Sequence, residues 1–183
     1  MKLGIIIGST RQGRASEVVA KWVASEVKKL GQTELELLDL RDYNLPFFDE
    51  PMPPLYNENR QPVAEAVTWL ETLAACDTFV FVTPEYNHSM PAVLKNAIDY
   101  VDTQLKDKTA LIVGHGPSSG AKDAAAHLRT VLTSNIGMTV IDPAVSLQTM
   151  VAMGGVFDEN GGLLQADNDW LQQLEAGLKT LLG

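Results

Sequence analysis

Cysteine is nearly absent. Cys76 stands alone among 183 residues, so the chain has no intramolecular disulfide and no thiolate cluster for zinc. That usage fits a reducing, cytoplasmic setting. Basic residues are also scarce: 14 Lys plus Arg face 23 Asp plus Glu, a formal charge of −9 that works against non-specific contact with nucleic acid or an anionic membrane. No apolar run approaches the roughly 20 residues needed to cross a bilayer. The first run, residues 3–7, stops at Gly8-Ser9-Thr10 and lacks the length and cleavage site of a secretory signal. Two nucleotide motifs are missing as well. There is no G-x-G-x-x-G, and although Gly8 and Gly13 have P-loop spacing, Arg14 and Ala15 stand where the lysine and the magnesium-binding hydroxyl belong.

What is present is alternation. With 45% hydrophobic and 20% charged residues the composition is that of a globular chain, and the length suits one domain over residues 1–183. Short apolar runs mark five buried strands: LGIIIG (3–8), LELLDL (35–40), TFVFVT (78–83), ALIVGH (110–115) and MTVIDP (138–143). Between them apolar residues recur at helical spacing: Val19, Trp22, Val23, Val27 and Leu30; then Val63, Ala66, Val67, Leu70 and Leu73; then Leu94, Ala97, Ile98 and Val101. Ala121, Ala124, Ala125, Leu128 and Val131 form a fourth stripe, and Trp170, Leu174, Leu178 and Leu181 a fifth. Strands apolar on both faces belong in a parallel sheet covered on both sides, so the expectation is a doubly wound, three-layer α/β domain. Right-handed crossovers place every strand-to-helix loop at one sheet edge, where ligands of such folds bind. Two long segments, 43–60 and 144–168, read as loops.

Three loops share that edge. The first, GSTRQGRAS (8–16), collects free backbone N–H groups, the positive end of a helix dipole, the hydroxyls of Ser9 and Ser16 and the guanidinium groups of Arg11 and Arg14. It suits a phosphate monoester without a metal. The second runs from Pro84 to Pro91 through Glu85, Tyr86, Asn87, His88 and Ser89, with Pro91 read as the first helical residue and Ser89 as a candidate cap. An aromatic ring, an amide and a carboxylate between two prolines suit a planar heterocycle. The third, Gly114-His115-Gly116-Pro117-Ser118-Ser119-Gly120, contains G-x-S-x-G, the spacing of a hydrolase nucleophile elbow. The last histidine, His127, lies on the helix that Ser118 introduces, with Asp123 one turn earlier, which that triad does not allow. Backbone N–H groups converging on the polar edge of a ring are the better use of this turn. His88 and His115 are separated and lack carboxylate companions in the sequence, so no metal site is read. Met150 and Met153 either cover the cleft or fill a gap.

These residues resemble the NADPH-dependent FMN reductase family of flavodoxin-like proteins. The resemblance is carried by GSTRQGRAS, by LLDLRDYNLPFFDEP (37–51) and most specifically by PEYNHSMPAVLKNAIDY (84–100). It implies a five-stranded parallel sheet of order 2-1-3-4-5. It also implies that Ser9, Arg11 and Ser16 hold the FMN phosphate and that Pro84, Glu85, Tyr86 and Asn87 contact the isoalloxazine and ribityl parts. Gly116, Pro117, Ser118 and Ser119 match the third flavin loop. Arg14 serves either the FMN phosphate or the 2′-phosphate of NADPH. Two departures stand out: Ala92 where members commonly have glycine, and a third loop poorer in glycine. The implied activity is hydride transfer from NADPH or NADH to flavin N5, then two-electron reduction of a small-molecule acceptor (a quinone, azo compound, metal oxyanion or free flavin) by a ping-pong mechanism. No side chain acts as acid or base. A homodimer or homotetramer is implied. The competing class is an FMN electron carrier of flavodoxin type without NAD(P)H activity.

Overall fold

A computed structural model describes residues 1–31, 33–148, 157–158 and 169–183. Six strands and six helices follow one another along them: β1 (Lys2–Ile7), α1 (Ser16–Leu30), β2 (Glu34–Asp39), α2 (Leu40–Tyr43), α3 (Ala64–Ala75), β3 (Thr78–Pro84), α4 (Ala92–Asp99), β4 (Thr109–Gly116), α5 (Lys122–Thr133), β5 (Thr139–Val140), β6 (Val145–Gln148) and α6 (Asp169–Leu182). The strands form a parallel sheet in the order β2-β1-β3-β4-β5, as expected for the flavodoxin-like arrangement, and β6 also pairs with β4.

The two-residue side-chain period of the strands sorts the core into two layers. Leu3, Ile5 and Ile7 of β1, Val80 and Val82 of β3 and Leu111 and Val113 of β4 face α1 and α6. Ile6, Phe79, Phe81, Ala110 and Ile112 face α3, α4 and α5. Both faces are therefore dry, as the unbroken apolar runs require. The helix stripes fit with one change of phase. In α3 the buried set is Ala66, Trp69, Leu70 and Leu73, while Val63 and Val67 are exposed; Trp69 covers more area and its Nε1 donates to the Ala97 carbonyl at 2.8 Å. Leu30 at the end of α1 is likewise exposed.

The fifth strand differs from the sequence reading. Only Thr139–Val140 of the expected 138–143 run pairs with β4, at Thr109 and Ala110. Pro143 has no N–H to donate to a ladder, so the strand breaks there. Pairing resumes in β6, against Val113 to Gly116 of β4. The segment read as a loop from residue 144 thus opens with a strand, and that strand meets β4 where the third loop begins. Met150 and Met153 lie outside the described residues.

The proline-rich 43–60 segment contains the end of α2 and a short 3-10 turn, Pro54–Tyr56. It is held to α4 by Asn96, which accepts from the Phe48 N–H at 2.9 Å and donates to the Pro46 carbonyl at 2.8 Å. Arg60 closes it with paired bonds to Glu50 at 2.7 and 2.8 Å. No described helix is long and apolar enough to cross a membrane.

Trp69 also packs edge-on against Tyr43, with ring centroids 4.9 Å apart. Trp69→Ala removes a large buried side chain and leaves the Ala97 carbonyl unpaired, so it should cost about 3–5 kcal/mol, read as a lower midpoint in urea unfolding.

Candidate active site

The C-terminal ends of β1, β3 and β4 bring the three expected loops together. Gly8 leaves β1 so close to β3 that its N–H donates to the Val82 carbonyl at 2.8 Å, and a Cβ here would stand 2.7 Å from that oxygen. Gly13 takes the left-handed conformation, φ 64°, that turns the chain into α1. Ala15 occupies the cap position of α1, and no side chain caps the helix. Among the described residues the N–H groups of Thr10, Gln12 and Gly13 meet no acceptor, and the exposed Arg11 guanidinium has no partner. Loop, helix end and arginine thus present unused donors and positive charge at one point, the requirement for an anion.

Arg14 is placed differently from Arg11. Its side chain is buried, donates to the Ser9 carbonyl at 2.8 Å and to Asp39 Oδ1 at 2.6 Å, and pairs also with Asp39 Oδ2 and with Glu17 at 3.4 Å. Its charge is taken up by carboxylates, so it braces the loop against the end of β2. Burial would raise the Asp39 carboxyl, but the Arg14 hydrogen bonds and the Arg41 N–H outweigh it and hold that group below its ordinary pKa. Arg41, not singled out from the sequence, clamps the same loop from outside by donating to the carbonyls of Thr10 at 3.2 Å and Arg11 at 2.6 Å. Its only signal was its place in the LLDLRDY stretch.

Ser9 and Ser16 are fully buried under the loop, and each hydroxyl is engaged by a neighbouring segment. Ser9 Oγ lies 2.8 Å from the Tyr86 hydroxyl, and Ser16 Oγ lies 2.8 Å from His115 Nε2. Tyr86 opens a tight turn closed by bonds between Tyr86 and Ser89 in both directions, with Asn87 (φ 50°) and His88 (φ 62°) left-handed at its tip. Glu85 reaches the third loop. Its carboxylate accepts from Ser119 Oγ at 3.2 Å and from the N–H groups of Asp123 at 3.0 Å and Ala124 at 3.2 Å, so it caps α5 across a loop boundary. The second loop is therefore tied to the first and the third, and the first to β4.

The third loop turns through Gly120 (φ 64°) and Ala121 (φ 65°). Gln148 of β6 donates to the Ser118 carbonyl at 3.0 Å, and the N–H groups of Ser118 and Ser119 meet no acceptor among the described residues. Gly116, Pro117 and Ser118 lie on the accessible side of the turn.

Several sequence expectations change here. Ser89 does not cap α4; its hydroxyl lies 3.1 Å from His127 Nδ1, and Pro91 stands just before the first helical residue. His115 points inward rather than toward a ligand, and burial pushes it down to about 4, so it is neutral. His88 does have carboxylate companions, which the fold supplies from other elements: Asp123 at 2.7 Å and Glu85 at 3.9 Å. The hydrogen bond that His88 donates to Asp123 raises its pKa. Of the two carboxylates, Glu85 is committed to the end of α5. The three histidines are thus bonded to Asp123, Ser16 and Ser89, and none serves Ser118 as a base. The nucleophile-elbow spacing has no catalytic partner.

Residues 1–152 match the model of the NADPH-dependent FMN reductase family. The chain belongs to that family. Among the family's relatives, an NAD(P)H-dependent FMN reductase of Schizosaccharomyces pombe is 34% identical over 160 residues, covering 86% of this chain and 78% of its own. A 2-hydroxy-1,4-benzoquinone reductase of Burkholderia sp is 31% identical over 141 residues, covering 72% and 69%. In structure, this reductase-family chain is similar to the flavoenzyme NAD(P)H:(acceptor) oxidoreductase FerB of Paracoccus denitrificans, with a TM-score of 0.70 over 96% of this chain and 98% of the other at 21% identity. That likeness is one of fold.

The buried His115 makes a pH prediction. Below the ordinary histidine value of about 6.5 the unfolded chain takes up a proton that the native ring refuses until about pH 4. Stability should therefore fall across that window by about 1.4 kcal/mol per pH unit, and His115→Gln should flatten the slope in urea titrations. The raised pKa of exposed His88 acts in a separate window: its contribution is complete below the ordinary value and is lost as pH rises through its folded one.

Proposed function

We propose that residues 8–16 hold the phosphate of FMN and that the second and third loops frame its ring, in an NAD(P)H-dependent reductase of small two-electron acceptors. The observation that carries this reading is the uncapped start of α1 beside the N–H groups of Thr10, Gln12 and Gly13 and the Arg11 guanidinium, none of which has a partner among the described residues. A phosphate monoester is the ligand for which such an end is left open.

The residues divide by task. Arg11 supplies the charge-assisted contact. Arg14 and Arg41 keep the loop in shape from inside and outside, and Ser9 and Ser16 brace it from below through Tyr86 and His115. Pro84, Glu85, Tyr86 and Asn87 make one wall of the ring site, held by the Glu85 bonds to the third loop. Gly116, Pro117, Ser118 and Ser119 make the other, with the Ser118 and Ser119 N–H groups available to the polar edge of the ring. Bound FMN would supply the redox chemistry, a hydride taken from NAD(P)H and two electrons passed to the acceptor. The protein's part is to hold and orient, so no acid or base is required of it. Nicotinamide and acceptor would use one open face of the flavin in turn, the basis of ping-pong kinetics.

Anaerobic NADH or NADPH should bleach the yellow holoprotein, and initial rates with a quinone should give parallel double-reciprocal lines. A protein that stays yellow with both nucleotides is a flavodoxin-type carrier instead. In the same preparation Arg11→Ala should weaken FMN binding about ten- to a hundredfold; unchanged affinity would remove Arg11 from the site.

We also infer a homodimer. Leu55 and Tyr56 are exposed beside a cavity of about 390 Å³ lined in part by Ile98, Val131 and Ile136, an apolar surface that a second copy can cover. Light scattering should return a multiple of the 19.9 kDa chain mass, and a monomer at assay concentration contradicts the inference.

A further inference from the structure

A one-turn helix such as α2, Leu40–Tyr43, has little stability of its own. Here both ends are fixed. Asp39 Oδ1 accepts the Arg41 N–H at 3.0 Å at its start, and Asn44 takes the left-handed conformation, φ 46°, at its end. Arg14 in turn locks the Asp39 carboxylate, so the backbone of Arg41 is fixed relative to the phosphate loop. What the turn delivers is one guanidinium on two consecutive carbonyls: Nε donates to Thr10 at 3.2 Å and Nη2 to Arg11 at 2.6 Å. A trans peptide is planar, with its N–H pointing opposite to its C=O, and the only cis bond among the described residues is Asp142–Pro143. Carbonyls drawn to Arg41 therefore turn the N–H groups of Arg11 and Gln12 to the other side of the loop. The Arg11 N–H shows which side that is, since it reaches Oγ of the buried Ser9 at 3.3 Å. The Gln12 N–H, turned the same way, meets no acceptor among the described residues.

We propose that Arg41 is a positioning residue for the phosphate of FMN: by holding the Thr10 and Arg11 carbonyls on the outer side of the loop, it presents the Gln12 N–H to the anion. The inference rests on the reading of residues 8–16 as the phosphate site and adds the group that keeps the N–H face from turning over. A peptide turned over there would set a carbonyl oxygen against the phosphate, and successive N–H groups make an anion site only while they share one side. The proposal also gives a use to α2, which carries Arg41 to the loop. Arg11 supplies charge to the ligand, whereas the donors of Arg41 are spent on backbone oxygens.

Equilibrium binding of FMN and of riboflavin, which lacks the phosphate, tests it through flavin fluorescence in the apoprotein. Wild type should hold FMN far more tightly than riboflavin. Arg41 is exposed, so its replacement leaves the core intact. Arg41→Ala should lower FMN affinity about tenfold and leave riboflavin unchanged. Arg41→Lys keeps the charge but loses the planar fork, and should stay within about threefold of Arg41→Ala. A second readout needs no flavin: inorganic phosphate added to the apoprotein should shift the Gln12 amide proton in the NMR spectrum of wild type and leave it in place in Arg41→Ala. Unchanged FMN affinity in Arg41→Ala, equal losses for both flavins, wild-type affinity in Arg41→Lys, or a Gln12 amide that responds to phosphate in both proteins or in neither overturns the role of Arg41. If Arg11→Ala weakens FMN binding and Arg41→Ala does not, the phosphate reading stands and the inference falls. A wild type that binds both flavins alike overturns the phosphate reading, and the inference with it.

Discussion

A polar side chain buried at the end of a parallel sheet has no water to turn to, and at this edge the constraint is met by bonding each segment to the next. Ser9 meets Tyr86, Ser16 meets His115, and Glu85 meets both Ser119 and the first N–H groups of α5. Each bond joins residues far apart in sequence, so the three loops are shaped by one another rather than by local turn chemistry. A loop edge assembled in this way has little freedom to collapse onto its own unpaired backbone donors. That is what allows N–H groups in the first and third loops to remain available.

The same constraint governs charge. A chain of net charge −9 that binds anions must keep some positive charge from being cancelled. Arg14 is cancelled, held between Asp39 and Glu17, and its task is mechanical. Arg11 lies three residues earlier on the outer side of the loop, where no carboxylate among the described residues reaches it. Arg41 donates to two loop carbonyls and so keeps the backbone that carries Arg11 in place. Two arginines of one motif, alike in the sequence, are separated in role by a few ångströms of burial.

The fold was legible where periodicity is strong. Runs such as TFVFVT and ALIVGH, apolar on both faces, leave no arrangement but a sheet covered twice. The stripes of α1 as far as Val27, of α4 and of α5 point inward as their spacing requires. Legibility failed where one residue's geometry outweighs a pattern. Pro143 breaks the fifth strand because it lacks an N–H, and Trp69 shifts the buried face of α3 because its ring covers more core than Val63 or Val67. At the site, the loop positions were legible and the side-chain partners were not, since Ser16 and His115 are 99 residues apart.

Local sequence was enough for the order of the first five strands and of the five longer helices, for the gathering of three glycine-, serine- and proline-rich loops at one sheet edge, and for the family to which the motifs belong, but not for α2 or β6. These follow from local spacing and from the handedness of parallel crossovers, which neighbouring residues suffice to specify. Tertiary structure alone decided which arginine stays free, that Glu85 caps a helix it does not belong to, that His88 sits between two carboxylates, and that His115 turns inward to Ser16. Those outcomes depend on burial and on distances between segments remote in the chain, and only packing the two core layers against the sheet sets them.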